Sequence, residues 1–302
     1  MQTAIVVFAF NRPDHLVKTL KYIAAAEGFD KLPLYVFIDG PRNKSEAHKV
    51  NEVNQLVADF KHPMKKISVS NKNNGLRSSV INGLTKVFDE ADAAIVLEDD
   101  ICVHPEFLKY HLTCLNTFQE RNDIWSISGY VIPEIGRLAK QICNEDLFLA
   151  PRASSWGWST WKNRWEKAVW DKEVIFQHFK INEKAYNKTG GDKLRMLVNE
   201  FNGKSNSWAI FWDYSHFMHS GFCVYPHNSF VNNIGLDNTG THSKPSASYQ
   251  VSLSESINID SYSDKIKVNK EILKLFKGIN FKWYRVLYDC FLYKRLIYKG
   301  IK

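Results

Sequence analysis

Short apolar, β-branched runs alternate with longer stretches whose apolar residues recur at helical spacing through the first 130 residues. That alternation predicts βαβ units and a mostly parallel sheet. "AIVVFAF" predicts a first strand. Pro13 and Asp14 suit the opening turn of the helix after it, where a missing N–H is harmless and a negative charge favours the dipole. Leu16, Leu20 and Ile23 give that helix one apolar face. "LPLYVFID" predicts a second strand ending at Asp39, followed by a helical stripe of Val50, Val53, Val57 and Phe60. "KKISVS" predicts a third, turned by Asn73, Asn74 and Gly75 into a helix with Val80, Leu84 and Val87. "AAIVLEDDIC" is the fourth, Leu108, Leu112 and Leu115 continue the alternation, and "IWSISGYV" is the fifth.

Ligands of open α/β sheets bind beyond the carboxyl ends of the strands. Arg12, Asp39, Asn73, Asn74, Gly75 and the acids Glu98, Asp99 and Asp100 all fall at such ends. Successive strand residues point to opposite faces, so three adjacent acids cannot all serve one surface ion pair. Holding them together costs Coulomb energy unless a cation joins them. An all-oxygen carboxylate site suits magnesium or manganese better than zinc. The alternative is that the acids cap a helix or pair with surface lysines. The turn after the first strand carries Asn11, Arg12 and Pro13 in place of a glycine-rich phosphate loop, which argues against a nicotinamide-dependent enzyme or a P-loop NTPase.

Composition narrows partners without choosing one. The 302 residues, 44% hydrophobic and 24% charged, are ordinary for a globular α/β chain. Forty Lys and Arg against 32 Asp and Glu leave a net charge of +8, which favours anionic partners. Cys102, Cys114, Cys143, Cys223 and Cys290 lack metal-like spacing and read as reduced thiols of a cytoplasmic protein. The first apolar run is too short to span a bilayer. No internal repeat or low-complexity segment is present.

The second half is rich in aromatics. Trp158, Trp161 and Trp165 stand at three- and four-residue steps, predicting a buried helical face, while Trp156 and Trp158 in a Ser-Gly context could instead stack on a sugar. Asp213 lies among Phe211, Trp212 and Tyr214. Apolar surroundings would raise its pKa toward that of a general base, and the structural alternative is a helix cap or a partner for Arg195. "NNIGLDNTGTHS" is a surface loop by composition, or a lid containing Gly235, Gly240 and His242. Residues 267–302 interleave Phe281, Trp283, Tyr284 and Tyr288 with Lys282, Arg285, Lys294 and Arg295. They suit either an anionic membrane surface or a helix packed on the domain.

In that order, "FNRP", "AAIVLEDDICVHPEFLKY", "IWSISGY", "SSWGWSTWKNRW" and "FWDY" resemble the N-acetylglucosaminyltransferase I family and bacterial transferases of surface polysaccharides, over roughly residues 4–243. The resemblance implies a GT-A fold: α/β, with a mostly parallel Rossmann-like sheet flanked by helices and a C-terminal helical extension. It divides the chain into a nucleotide-sugar half (1–130), an acceptor half (131–245) and a basic-aromatic extension (246–302). It implies an inverting, Mn2+- or Mg2+-dependent glycosyltransferase, with a nucleotide diphosphate sugar (UDP-sugar favoured) as donor and a glycan or lipid-linked saccharide as acceptor. Nucleic acid is not a partner. By resemblance Asp100 binds the metal, Glu98 and Asp99 contact donor sugar and ribose, and Arg12 and Asp39 hold the nucleotide. Arg77, Trp156, Trp158, Trp212 and His242 join the substrate side, and Asp213 is the base. Rival readings are a nucleotidyltransferase, a non-catalytic carbohydrate-binding protein and a metal-dependent phosphohydrolase.

Overall fold

The computed structural model describes residues 1–237, 249–253, 261–279 and 293–294. The first half alternates as its hydrophobic pattern dictates. Strands β1 (Thr3–Ala9), β2 (Leu34–Ile38), β3 (Lys65–Val69) and β4 (Ala93–Glu98) are joined by helices α1 (Pro13–Ala24), α2 (Lys44–Asp59) and α3 (Gly75–Val87). Then come β5 (Ile101–Val103), α4 (Phe107–Phe118), β6 (Ile124–Ser128), α5 (Pro133–Ile142), β7 (Leu147–Ala150), β8 (Trp158–Trp161) and the short α6 (Lys162–Trp165). Helices α7 (Lys172–Tyr186), α8 (Lys193–Phe201) and α9 (Trp208–Met218) precede β9 (Phe222–Pro226), β10 (Val231–Asn233) and α10 (Lys270–Gly278).

Eight strands form one mixed sheet in the order β3-β2-β1-β4-β8-β6-β9-β7. β8 is antiparallel to both β4 and β6, and β7 is antiparallel to β9. The other six strands therefore run the same way, and their carboxyl ends share one rim. This is an α/β fold with a mostly parallel sheet flanked by helices and followed by a C-terminal helix. Alternate residues of β1 serve opposite cores. Ile5, Val7 and Ala9 pack with α1, α2 and α4, and Ala4, Val6 and Phe8 pack with α3 and the tryptophans of α9. At the edge, β3 exposes Ile67 and Val69 but opens with Lys65 and Lys66, charges that discourage edge-to-edge pairing.

The tryptophan helix is corrected by the structure: residues 158–161 form a strand, and helix begins only at Lys162. Trp158 and Trp161, three apart on a strand, point to opposite faces and enter different cores. The C-terminal helix α10 has Asn269 as its N-cap, accepting from the Glu271 N–H. It buries Ile272 and Phe276 on the domain, with the Phe276 ring 5.1 Å from Tyr225 and 6.2 Å from Phe148. For this stretch the packed alternative holds. The aromatic and basic residues at 280–292 and 295–302, and with them Cys290, lie outside the described residues. The other four cysteines are buried free thiols. No helix among the described residues is long and apolar enough to cross a membrane.

Candidate functional site at the carboxyl rim

The acids at the end of β4 meet a guanidinium from the end of β1. Phe8 of β1 pairs with Glu98 of β4, so the segments after these strands emerge side by side. Arg12 Nη1 donates to Asp100 Oδ2 at 2.8 Å and lies 3.5 Å from Asp99 Oδ1. Asp99 is further held by the Phe10 N–H, which reaches Oδ2 at 3.3 Å, and by the Thr19 hydroxyl, which donates to its backbone carbonyl at 2.8 Å. Burial, followed by the Asp100 and Asp99 charges, pushes Glu98 up to about 8 against the opposing pull of Arg12. Burial and Asp100 push Asp99 up to about 7. Arg12 moves the other way. Its burial is outweighed by Asp99, Asp100 and Asp237, so its pKa rises and it stays charged.

β10 returns the late chain to this point. It pairs antiparallel with β5, opposing Asn233 to Ile101, and the Ile234 N–H then donates to the Asp100 carbonyl at 2.9 Å. Gly235 lies against the ion pair so closely that a Cβ there would sit 2.0 Å from Asp100 Oδ2 and 2.6 Å from Arg12 Nη2. Only glycine fits. His15 Nε2 meets Asp237 Oδ2 at 3.0 Å and fastens the same segment to α1. His15, Thr19 and Asp237 were missed by sequence reasoning, since 222 positions separate His15 from Asp237 and no local pattern connects them. His242 and Gly240 lie outside the described residues.

Under this cover several polar atoms have no partner among the described residues: Asp100 Oδ1 and Arg12 Nε and Nη2 are buried and unbonded there. Unpaired buried polar atoms are rare in folded proteins and call for an explanation, which an ordered water, an ion or a ligand can supply. A magnesium-like ion held with a diphosphate needs only one or two protein carboxylates, the rest of its shell coming from phosphate and water. Among the described residues no three His, Cys, Asp or Glu side chains converge on a metal position. The residues thus fit a one-carboxylate site at Asp100 Oδ1, and not an all-protein cage.

The remaining candidates divide. Asp39 stays on the rim, but its carboxylate accepts from the Gly40, Asn74 and Gly75 N–H groups at 2.9–3.0 Å and so caps the start of α3. Arg77 is engaged inside the fold. It pairs with Glu200, donates to the Ser207 carbonyl at 2.8 Å and lies over the Phe211 ring. Trp158 and Trp212 are corrections: at 1% and 0% exposure they are buried among Trp165, Trp208 and each other, and no sugar can reach them. Trp156 is only partly buried, 4.6 Å from the Tyr130 ring. Because Trp158 pairs with Val96, the chain at Trp156 runs beside the Glu98 end of β4.

Asp213 does not sit in apolar surroundings. Its neighbours in sequence point elsewhere around α9, and its carboxylate faces donors. Oδ2 takes Lys193 Nζ at 2.8 Å and the Tyr186 hydroxyl at 2.9 Å, while Oδ1 takes the Ala153 N–H at 2.9 Å. Its ionic partner is Lys193, and not Arg195. Lys193 also donates to the Pro151 carbonyl at 2.6 Å, and burial lowers its pKa against the support of Asp213. Beside it Arg152 and Asp192 form a two-pronged pair at 2.7 and 3.1 Å. Sequence reasoning missed Lys193, Tyr186, Arg152 and Asp192.

No family model matches the sequence. The chain is similar in structure to residues 1–349 of TarS from S. aureus, with 11% identity, a TM-score of 0.43, and 76% of this chain and 60% of that one covered. It is similar to the mannosyltransferase PcManGT from Pyrobaculum calidifontis in complex with GDP-Man and Mn2+, with 10% identity, a TM-score of 0.43 and coverage of 72% and 69%. GalNAc-T7 with UDP, GalNAc and Mn2+ gives 11% identity, a TM-score of 0.45 and coverage of 75% and 43%. The match to a longer TarS structure spans only 21% of that protein. Likeness at this level concerns chain arrangement alone.

Proposed function

We propose that the protein is a metal-assisted glycosyltransferase acting on a nucleotide diphosphate sugar, with UDP-sugars favoured. The observation that carries this reading is the pairing of Arg12 with Asp100 at the carboxyl rim, where one carboxylate oxygen and two guanidinium nitrogens are buried with no partner among the described residues. A carboxylate and a guanidinium left open side by side suit a ligand that brings cation and anion together, as a metal diphosphate does. In the reaction an acceptor hydroxyl oxygen bonds to the anomeric carbon, the bond from that carbon to the diphosphate breaks, and the hydroxyl proton is released.

The chain's own groups take distinct parts. Asp100 Oδ1 would hold the ion, whose positive charge neutralises the departing diphosphate. Arg12 offers N–H donors to phosphate oxygens. Glu98 and Asp99 face the sugar and ribose, and Trp156 supplies a ring for an acceptor sugar. Asp213, named as base by resemblance, is better suited to positioning, because both its oxygens are engaged and Oδ1 fixes residue 153 in the segment that leads to Trp156. If Asp213→Asn folds and binds donor but loses turnover entirely, the base role returns.

A thermal-shift screen of nucleoside diphosphates with and without manganese tests the reading. UDP is expected to raise the melting temperature in a manganese-dependent manner. No shift with any nucleoside diphosphate in either condition would sink the proposal.

A further inference from the structure

A second concavity opens on the same rim. β6 and β9 are parallel neighbours, and both run parallel to β4 because β8 is antiparallel to β4 and β6 alike. From β4 to β9 is three strand spacings, roughly 14 Å. Beyond the ends of β6 and β9 lies a cavity of about 430 Å³. That is within the range of small-ligand sites. It is roofed by α5 and by residues 250–253, and His104, at the far end of the β5–β10 ribbon from Asp100, joins its wall. One short ribbon thus has the acids at one end and the cavity at the other.

The lining has a definite chemistry. Val131, Val251 and Leu253 give apolar lining, while Gln141, Asn228 and Gln250 bring amide groups that both donate and accept. Such a mixture suits a sugar, whose ring faces are apolar and whose edges carry hydroxyls. The charges have one sign. Arg137 and Lys140 of α5 line the cavity together with His104 and His227, and no Asp or Glu is among the lining residues. Arg137 is shared with Glu134 of its own helix at 2.7 Å, but Lys140 has no ion-pair partner among the described residues. His227 Nε2 bonds the Glu145 carbonyl at 2.8 Å, which fixes that ring at the wall.

From this we infer that the cavity is a subsite for an acidic saccharide, one bearing a carboxylate or phosphate that Lys140 and Arg137 receive. Resting on the transferase reading, the subsite belongs to the acceptor, whose growing chain would lie along the rim from the acids toward β9. Binding itself does not depend on that reading, because the cavity shares no residue with the acidic end.

The experiment is calorimetric titration of the full chain, without nucleotide or metal, with trigalacturonic acid, its neutral methyl ester, mannose 6-phosphate, mannose and inorganic phosphate. At least one acidic sugar should bind about tenfold or more tightly than its neutral counterpart, and Lys140→Glu and Arg137→Ala, both at exposed helix positions, should each erase about that factor. Which probe responds names the substituent. Equal binding of the neutral sugars, inorganic phosphate binding as well as either acidic sugar, no binding of either acidic sugar, or unchanged binding in both variants would overturn the inference. The UDP and manganese thermal shift of Lys140→Glu should match wild type, so loss of the subsite and loss of the transferase reading show up separately.

Discussion

Two clusters of charge lie on either side of residues 151–157, and they are built on opposite principles. Around Asp213 every carboxylate oxygen is engaged: Lys193, Tyr186 and the Ala153 N–H surround Asp213, and Arg152 grips Asp192 with two hydrogen bonds. At the end of β4 three acids share one arginine, two of them with pKa values pushed far up, and buried atoms of Asp100 and Arg12 have no partner among the described residues. The first arrangement is filled by the chain's own donors, whereas the second leaves buried atoms unmatched among the described residues. A closed network holds a fold together, and an open one is where binding free energy is to be gained.

The sharpest test of that contrast is to open the closed cluster. Lys193→Met would leave Asp213 buried without its counter-charge, and about 3–5 kcal/mol of unfolding free energy should be lost in a urea titration. Adding Asp213→Leu to the same chain should recover much of that loss. If the single variant is as stable as wild type, the cluster is not closed in the sense drawn here.

Acid should strain the same interior. His216 donates from Nδ1 to the Trp212 carbonyl at 2.9 Å and accepts at Nε2 from the Ser126 hydroxyl at 2.8 Å, so it is held neutral. Burial lowers its pKa from 6.5 to about 4. The unfolded chain takes up this proton first. Stability from this group is therefore full above pH 6.5 and falls as pH drops toward 4, by about 3 kcal/mol at the lower limit. Because the raised pKa values of Glu98 and Asp99 add stability on acidification, the His216 contribution is read as a difference: wild type should lose melting temperature relative to His216→Asn as pH falls from 6.5 to 4.

Removing a charge from the open cluster should respond in ligand binding and hardly at all in stability. Asp100→Ala removes one of three crowded negative charges, so the fold should hold. UDP binding in manganese should weaken about a hundredfold, close to 2.7 kcal/mol. Identical UDP affinity with and without manganese in both proteins would remove Asp100 from the site. The smallest effect is expected for Gly235→Ala, whose methyl would displace the Arg12–Asp100 pair and cost about 1–2 kcal/mol, read as a lowered melting temperature.

Legibility followed sequence distance. The first four strands, their helices and the rim positions of Arg12, Asp39 and the three acids could be read from periodicity, because each lies within one βαβ unit. Trp158 and Trp161 could not, since a three-residue step fits a helix face and equally two faces of a strand, and only the slot between β4 and β6 decides. The environment of Asp213 was misread because its apolar sequence neighbours are not its spatial ones. Lys193 lies 20 positions away on another helix, and Arg152 reaches Asp192 across 40. Long-range ion pairs leave no periodic signature.

The placement of β8 has a consequence for biogenesis. Residues 158–161 fill the gap between strands made earlier, so a nascent chain released only to residue 130 would carry three raw hydrogen-bonding edges there, one on β4 and both of β6. The two edges facing the gap are sealed only when the ribosome has delivered the tryptophan-rich stretch, and the other edge of β6 waits for β9. Truncation at that boundary should yield aggregates in place of an autonomous nucleotide-binding module, and the chain should gain its solubility late in synthesis, once β8 and then β9 are in place.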